Sequence, residues 1–203
     1  MLEPAFFSYT ALMSITPGPN NLLLASTGVN YGFRKTVPFM AGIVVGMATM
    51  LSVLVLTLGT VVQAFTVLRP ALTVVGVGYL LWLSWKTAVA DRLKEGVERR
   101  PPGVVGGAVF QLMNPKAWMM TVNTALLFVP RDTPPWTSLP VLVLAAGAVN
   151  LACISVWALA GDRLRQILSR EPALRIFNLT MGALMAGTAL WLLAEEFLPH
   201  SRG

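Results

Sequence analysis

The sequence predicts an all-α membrane protein: six transmembrane helices arranged as two inverted three-helix repeats, with helices 1 and 4 broken near the midplane. Three observations carry this expectation. Six apolar runs fill the 203-residue chain, and each can cross a hydrocarbon core about 30 Å thick. Basic residues crowd into alternate gaps between those runs, as they do in cytoplasmic loops. Prolines interrupt the first and fourth runs at matching depths. Composition agrees: 55% of residues are hydrophobic and 12% are charged, against about 25% charged in soluble domains. Mean hydropathy is +0.68. A soluble globular domain and a disordered chain are both excluded.

The first run covers about 5–29 and is interrupted at Thr16-Pro17-Gly18-Pro19. The second covers about 37–65 and the third about 70–89. A polar stretch at 90–103 holds seven charged residues, from Asp91 to Arg100. The fourth run covers about 104–129, with a break at Asn114-Pro115-Lys116. The fifth covers about 139–160, and a basic loop at 161–175 leads to the sixth, about 176–198. No run alternates polar and apolar residues as a barrel strand would. In lipid every backbone group must find an internal partner, so these runs are helices. The chain is expected to be one integral membrane domain: repeat one at about 1–90, a cytoplasmic loop at about 90–103, and repeat two at about 104–203. Met1-Leu2-Glu3-Pro4 lacks a basic region and a small-residue cleavage site, so the first run is expected to stay as a span.

Orientation follows from charge. Loops on one side hold eleven basic residues: Arg34 and Lys35, five between Lys86 and Arg100, and four between Arg163 and Arg175. The other side holds Arg69, Arg131 and Arg202. The richer side is cytoplasmic, which puts both termini on the periplasmic side. The net charge of +6 is explained this way without nucleic acid. Trp82, Trp85, Trp136 and Trp191 lie near span ends and read as interfacial anchors.

The two breaks hold the informative chemistry. Pro17 lies about 12 residues into the first span and Pro115 about 11 into the fourth, both about 17 Å deep at 1.5 Å per residue. Paired interruptions in corresponding halves point to a transporter's binding site. Thr16-Pro17, Gly18-Pro19 and Asn114-Pro115 each read as an N-cap followed by proline at the first helical position. A half-helix starting inside the membrane exposes free N–H groups and a partial positive charge, which suits an anion. Lys116 follows directly. A lysine this deep costs about 2.5–3.5 kcal/mol on insertion scales. It reads as a partner for a substrate carboxylate rather than a snorkelling lysine or a cap on free carbonyls. Asn20 and Asn21 read equally as ligands or helix caps. Asn150, inside the fifth span, reads as a ligand. Gln111 and Asn123 read as interhelical packing contacts.

Other classes are weakly supported. Cys153 is the only cysteine and His200 the only histidine, so a disulfide, a redox pair and a His/Cys metal cluster are excluded. No nucleophile–base set is evident, so no enzyme and no cofactor are expected. Asp162, Glu195 and Glu196 sit at span ends, and no carboxylate lies in a span interior. The cavity therefore has a positive bias that fits a zwitterionic amino acid with a neutral side chain. Gly42-x-x-x-Gly46 and Gly103-x-x-x-Gly107 allow close helix contact within one chain. Partners are a small-molecule substrate, membrane lipid and candidate coupling protons, and a homo-oligomer stays open. The alternative is a passive channel or a transporter of another small organic anion or zwitterion, with a membrane-embedded enzyme less favoured.

Thr16-Pro17-Gly18-Pro19-Asn20-Asn21, Gly32-Phe33-Arg34, Gly78-Tyr79-Leu80-Leu81-Trp82-Leu83 and Gln111-Leu112-Met113-Asn114-Pro115-Lys116-Ala117 together resemble the LysE/RhtB amino-acid exporter family over almost the whole chain. The resemblance implies a secondary transporter of the bacterial inner membrane that exports amino acids or close derivatives in exchange for protons. It singles out Pro17, Gly18, Pro19, Asn20, Asn114, Pro115 and Lys116. Many members of the homoserine/threonine branch carry an Asp where this chain has Asn150. The Pro-Gly-Pro-Asn-Asn form with Asn at that position is similar to the branch associated with cysteine and O-acetylserine export. Asn cannot titrate, so a proton-coupling role carried by that Asp does not transfer to this chain; the coupling stays open, with Lys116 able to exchange a proton if desolvation lowers its pKa.

Overall fold

The structure is a computed structural model and describes residues 3–90, 101–130, 134–168 and 171–198. The expectations for the 91–100 stretch, Arg131, Arg170, His200 and Arg202 lie outside these residues. The described residues form eight helices and no strand: α1 Pro4–Ile15, α2 Pro19–Tyr31, α3 Phe33–Leu56, α4 Leu58–Ala88, α5 Val104–Leu112, α6 Pro115–Phe128, α7 Pro135–Ile167 and α8 Glu171–Phe197. Three stretches are long and apolar enough to cross a membrane: Phe33–Leu56, Pro135–Ile167 and Pro172–Phe197.

The first and fourth apolar runs are both broken where proline falls. α1 stops at Ile15 and α2 restarts at Pro19 after extended Gly18, at φ −177° and ψ 179°. α5 stops at Leu112 and α6 restarts at Pro115 behind Asn114. Proline tolerates the first helical position because that N–H has no intrahelical acceptor. One cap differs from expectation. Thr16 closes α1 instead of opening α2: its amide and hydroxyl both donate to the Leu12 carbonyl. Gly18 is the residue before the first turn of α2.

The second and third runs also divide differently. The expected loop near 65–70 is absent, and the turn falls on Thr57. Pro70 lies inside α4. The stretch before it spreads Thr57, Thr60, Gln63, Thr66 and Arg69 among apolar residues, so hydropathy alone does not mark the turn. The Thr57 hydroxyl donates to the Val53 carbonyl, a local bond that competes with helix continuation. α7 runs on to Ile167 through the expected loop, because a helix need not stop where its apolar face does. α2 and α3 join through Gly32 at φ 87°, a conformation that favours glycine.

Packing pairs the halves crosswise. α1 and α2 pack on α7, α5 and α6 pack on α3, α3 crosses α7, and α4 lies along α8. The tightest approaches are at glycines. A Cβ on Gly28 would lie 2.3 Å from the Ala158 carbonyl oxygen, and one on Gly161 would lie 2.2 Å from that of Ala25. The same arrangement joins α3 to α5: a Cβ on Gly42 would lie 2.0 Å from the Val104 carbonyl and one on Gly107 2.2 Å from that of Phe39. Gly42 and Gly107, one from each G-x-x-x-G element, thus serve packing within the chain. Two apolar clusters result. One gathers Leu24, Phe39, Ile43, Leu80, Phe110 and Ile154. The other gathers Phe6, Met47, Leu51, Leu54 and Leu142. The polar site lies between them.

Candidate functional site

The two breaks meet. A partly open cavity is lined by Ser14, Thr16, Gly18, Asn20, Asn21, Gln111, Asn114, Lys116 and Asn150, with Met120 and Ile154 from the two apolar clusters. Seven of the ten residues expected at the site line this cavity. Pro17, Pro19 and Pro115 do not. They shape the backbone, and Pro115 faces a different cavity.

A directed chain of amides joins the breaks. The Lys116 amide donates to Asn114 Oδ1 at 3.1 Å. Asn114 Nδ2 donates to Asn20 Oδ1 at 2.7 Å, and Asn20 Nδ2 donates to Gln111 Oε1 at 2.8 Å. Asn20 therefore has its amide oxygen and nitrogen engaged in holding α2 to α5 and α6. Gln111 bridges helices, as expected of it, but it also lines the cavity. Its hydrophobic neighbours in the sequence gave no sign of that second role.

Ending α1 inside the fold frees carbonyls, and side chains from other helices satisfy them. Asn21 Nδ2 donates to the Ser14 carbonyl at 2.8 Å and to that of Thr16 at 2.9 Å. Lys116 Nζ donates to the Thr16 carbonyl at 3.1 Å and to that of Pro17 at 3.4 Å. The Trp157 indole donates to Ile15 at 3.1 Å. At the other break the Trp118 indole donates to the Leu112 carbonyl at 2.7 Å. Each break thus has one tryptophan partner, and the sequence reading singled out neither. An indole has one donor and no acceptor, which suits a lone carbonyl but looks in a sequence like any buried aromatic.

Gly18 makes room for Lys116. A Cβ there would sit 3.0 Å from Lys116 Cδ and 3.1 Å from Nζ. With no side chain at Gly18, the first turn of α2 has no side-chain cap. α6 differs, because Asn114 caps its own helix.

Two acceptors remain. Asn21 and Asn150 are each 3% exposed, and the Oδ1 of each is buried without a partner. The two donations by Asn21 Nδ2 fix the orientation of that amide, leaving its oxygen as the free atom. Asn150 Nδ2 contacts Ser14 Oγ at 3.1 Å, a residue that no motif marked. Buried polar atoms are nearly always paired, so two orphaned acceptors in one cavity call for a donor. Among the described residues, Lys116 is the only charged one lining that cavity. Among the described residues no group of three or more His, Cys, Asp or Glu could hold a metal ion.

Residues 11–196 match the LysE type translocator family. Over 168 residues the chain is 33% identical to a cysteine/O-acetylserine efflux protein of Salmonella paratyphi A, covering 79% of this chain and 83% of that one. It is 31% identical over 174 residues to a protein of the same description from Shigella flexneri, covering 82% and 86%. A third relative of that description, from Escherichia coli O1:K1, is 31% identical over 173 residues, covering 82% and 85%. No solved structure matches the chain. With its apolar helices, its paired breaks and a match over nearly its full length, the chain belongs to the LysE type translocator family and is a membrane transporter.

Proposed function

We propose that the protein is a secondary active exporter of small neutral amino acids or their derivatives across the bacterial inner membrane. The observation that carries this reading is the placement of Lys116 and two orphaned acceptor oxygens around one cavity. A zwitterion complements that set. Its carboxylate lies against Lys116 and the uncapped start of α2. Two of the three Lys116 donors serve carbonyls, which leaves one for a ligand. Its ammonium group donates to Asn21 Oδ1 and Asn150 Oδ1. Thr16, Pro17, Gly18, Pro19, Asn20, Asn114 and Pro115 hold this geometry. Cysteine and O-acetylserine, named in the relatives' descriptions, are the first substrates to test. Both are small zwitterions with uncharged side chains.

Transport proceeds by alternating access, with six spans forming two inverted repeats on either side of the 90–103 loop. The crosswise packing supports this: each broken helix leans on the middle long helix of the other half. Rocking one half on the other would open the cavity to either face. The charge bias places both termini in the periplasm. Lys116, the one titratable residue lining the cavity among the described residues, carries the coupling proton.

Inverted vesicles with an acidic interior test the reading. The wild type should accumulate labelled O-acetyl-L-serine or L-cysteine above the bath concentration. Equilibration without accumulation would indicate a passive pore. Lys116→Met should lower uptake roughly tenfold or more, as a charge-assisted hydrogen bond contributes about 1.5–3 kcal/mol. Full activity in that variant, at normal expression, would remove Lys116 from the mechanism.

A further inference from the structure

A second, partly open cleft lies between α4, α6 and α8. Arg69 and Thr73 of α4, Trp118 of α6, and Glu195 and Glu196 of α8 help to line it. Arg69 Nε donates to Glu196 Oε2 at 2.8 Å. Glu195 makes no such bond: its Oε2 is buried and has no partner. Charges on these walls are one positive and two negative, so the cavity lacks one cation. A carboxylate can take at most two of the five guanidinium donors, so Arg69 keeps donors for a second anion.

We propose that this cavity is a second binding site, for a molecule that carries a primary ammonium beside an anionic group. The ammonium pairs with Glu195 Oε2 and supplies the missing cation. The anionic group meets Arg69. Two sources have this chemistry: the exported amino acid, and the headgroup of an ethanolamine phospholipid. The first turn of α6 is the partition between the two cavities. Pro115, Trp118 and Met119 face this one, and Asn114, Lys116, Ala117 and Met120 face the central one. A ligand held here lies one helix away from the transport site. Its role as a station on the export path rests on the transport reading above, whereas its existence does not.

Binding stoichiometry tests the inference. Purified protein in phosphatidylcholine nanodiscs, which hold no primary ammonium, is titrated with labelled O-acetyl-L-serine. If the amino acid is the occupant, the wild type binds two molecules per chain. Glu195→Gln then binds one, with affinity at the second site lowered at least tenfold, and Arg69→Gln weakens the same site. The central double variant Lys116→Met/Asn150→Leu also binds one. If the lipid is the occupant, native mass spectrometry of wild type in ethanolamine-containing discs finds a retained ethanolamine lipid that Glu195→Gln loses. A wild type that binds one amino acid, together with equal lipid retention in wild type and Glu195→Gln, overturns the proposal. Should Glu195→Gln misfold, Arg69→Gln takes its place in both measurements, with the same outcomes expected. Failure of the central reading looks different: the double variant then binds as the wild type does, while Glu195→Gln still loses a ligand.

Discussion

Gly18 illustrates how a single residue is constrained by space instead of backbone conformation. Its φ of −177° is extended backbone open to any residue, yet a Cβ would press on the end of the Lys116 side chain. That side chain is long and can swing aside. Gly18→Ala should therefore fold with an almost unchanged melting temperature while transport falls several-fold, which parallel thermal melts and vesicle uptake would check. Asn150 invites the opposite experiment. Asn150→Asp keeps an acceptor oxygen facing the cavity and adds a charge that can titrate. Affinity for a zwitterion should rise at neutral pH and decline as the carboxylate protonates on acidification. A pH series of equilibrium binding, read as the difference between variant and wild type, measures this. Unchanged pH dependence in the variant would place Asn150 away from the ligand's ammonium.

At the level of helices, close contact depends on glycine. α3 and α5 touch through Gly42 and Gly107, and α2 and α7 through Gly28 and Gly161. At these points the obstacle to a methyl group is backbone, which cannot swing aside. Gly107→Ala should destabilise the protein by about 1–3 kcal/mol, the usual cost of overpacking. Gly78 is the control, since nothing lies within 4 Å of a Cβ built there. Gly78→Ala should be neutral or stabilising by about 0.5–1 kcal/mol, because alanine is the better helix former. Unfolding of the two variants in detergent, side by side, gives both numbers. Helices also meet through polar side chains. Asn30 and Asn178 exchange amide hydrogen bonds at 2.9 and 3.2 Å, and Asn178 also donates to the Ala90 carbonyl. This ties α2, α8 and the end of α4 together at one point.

For the molecule as a whole, the distribution of basic residues predicts a definite topology. Both ends of the chain should face the periplasm, with the 90–103 loop in the cytoplasm. A periplasm-active phosphatase fused after Gly203 should be active, and one inserted in the loop should be inactive. The reverse pattern would invert the direction assigned to the cavity. Cys153 simplifies a second check. It is the only cysteine, so a Cys153→Ser background allows single cysteines to be placed and labelled from either face.

Much of this was legible in the amino-acid order because the signals are local. A proline cannot donate a backbone hydrogen bond wherever it falls, so Pro17, Pro19 and Pro115 announced both interruptions. Hydropathy marked the apolar runs for the same reason, as each residue's transfer cost is its own. The turn at Thr57 was not legible, because Ser52, Thr57, Thr60, Gln63 and Thr66 recur at short intervals along the stretch and none stands out as the point of reversal. The roles of Ser14, Gln111, Trp118 and Trp157 were hidden too. Each depends on which carbonyl or amide happens to lie opposite, and that partner is as many as 142 residues distant for Trp157. Asn20 and Asn21 show the division most clearly. They are adjacent and identical in type, yet the fold ties one into the amide chain between the breaks and leaves the other with a free oxygen in the cavity. A helix turns each successive residue by about a quarter turn or more, so neighbours face different surroundings. Only the packing of the other helices decides what each of them meets.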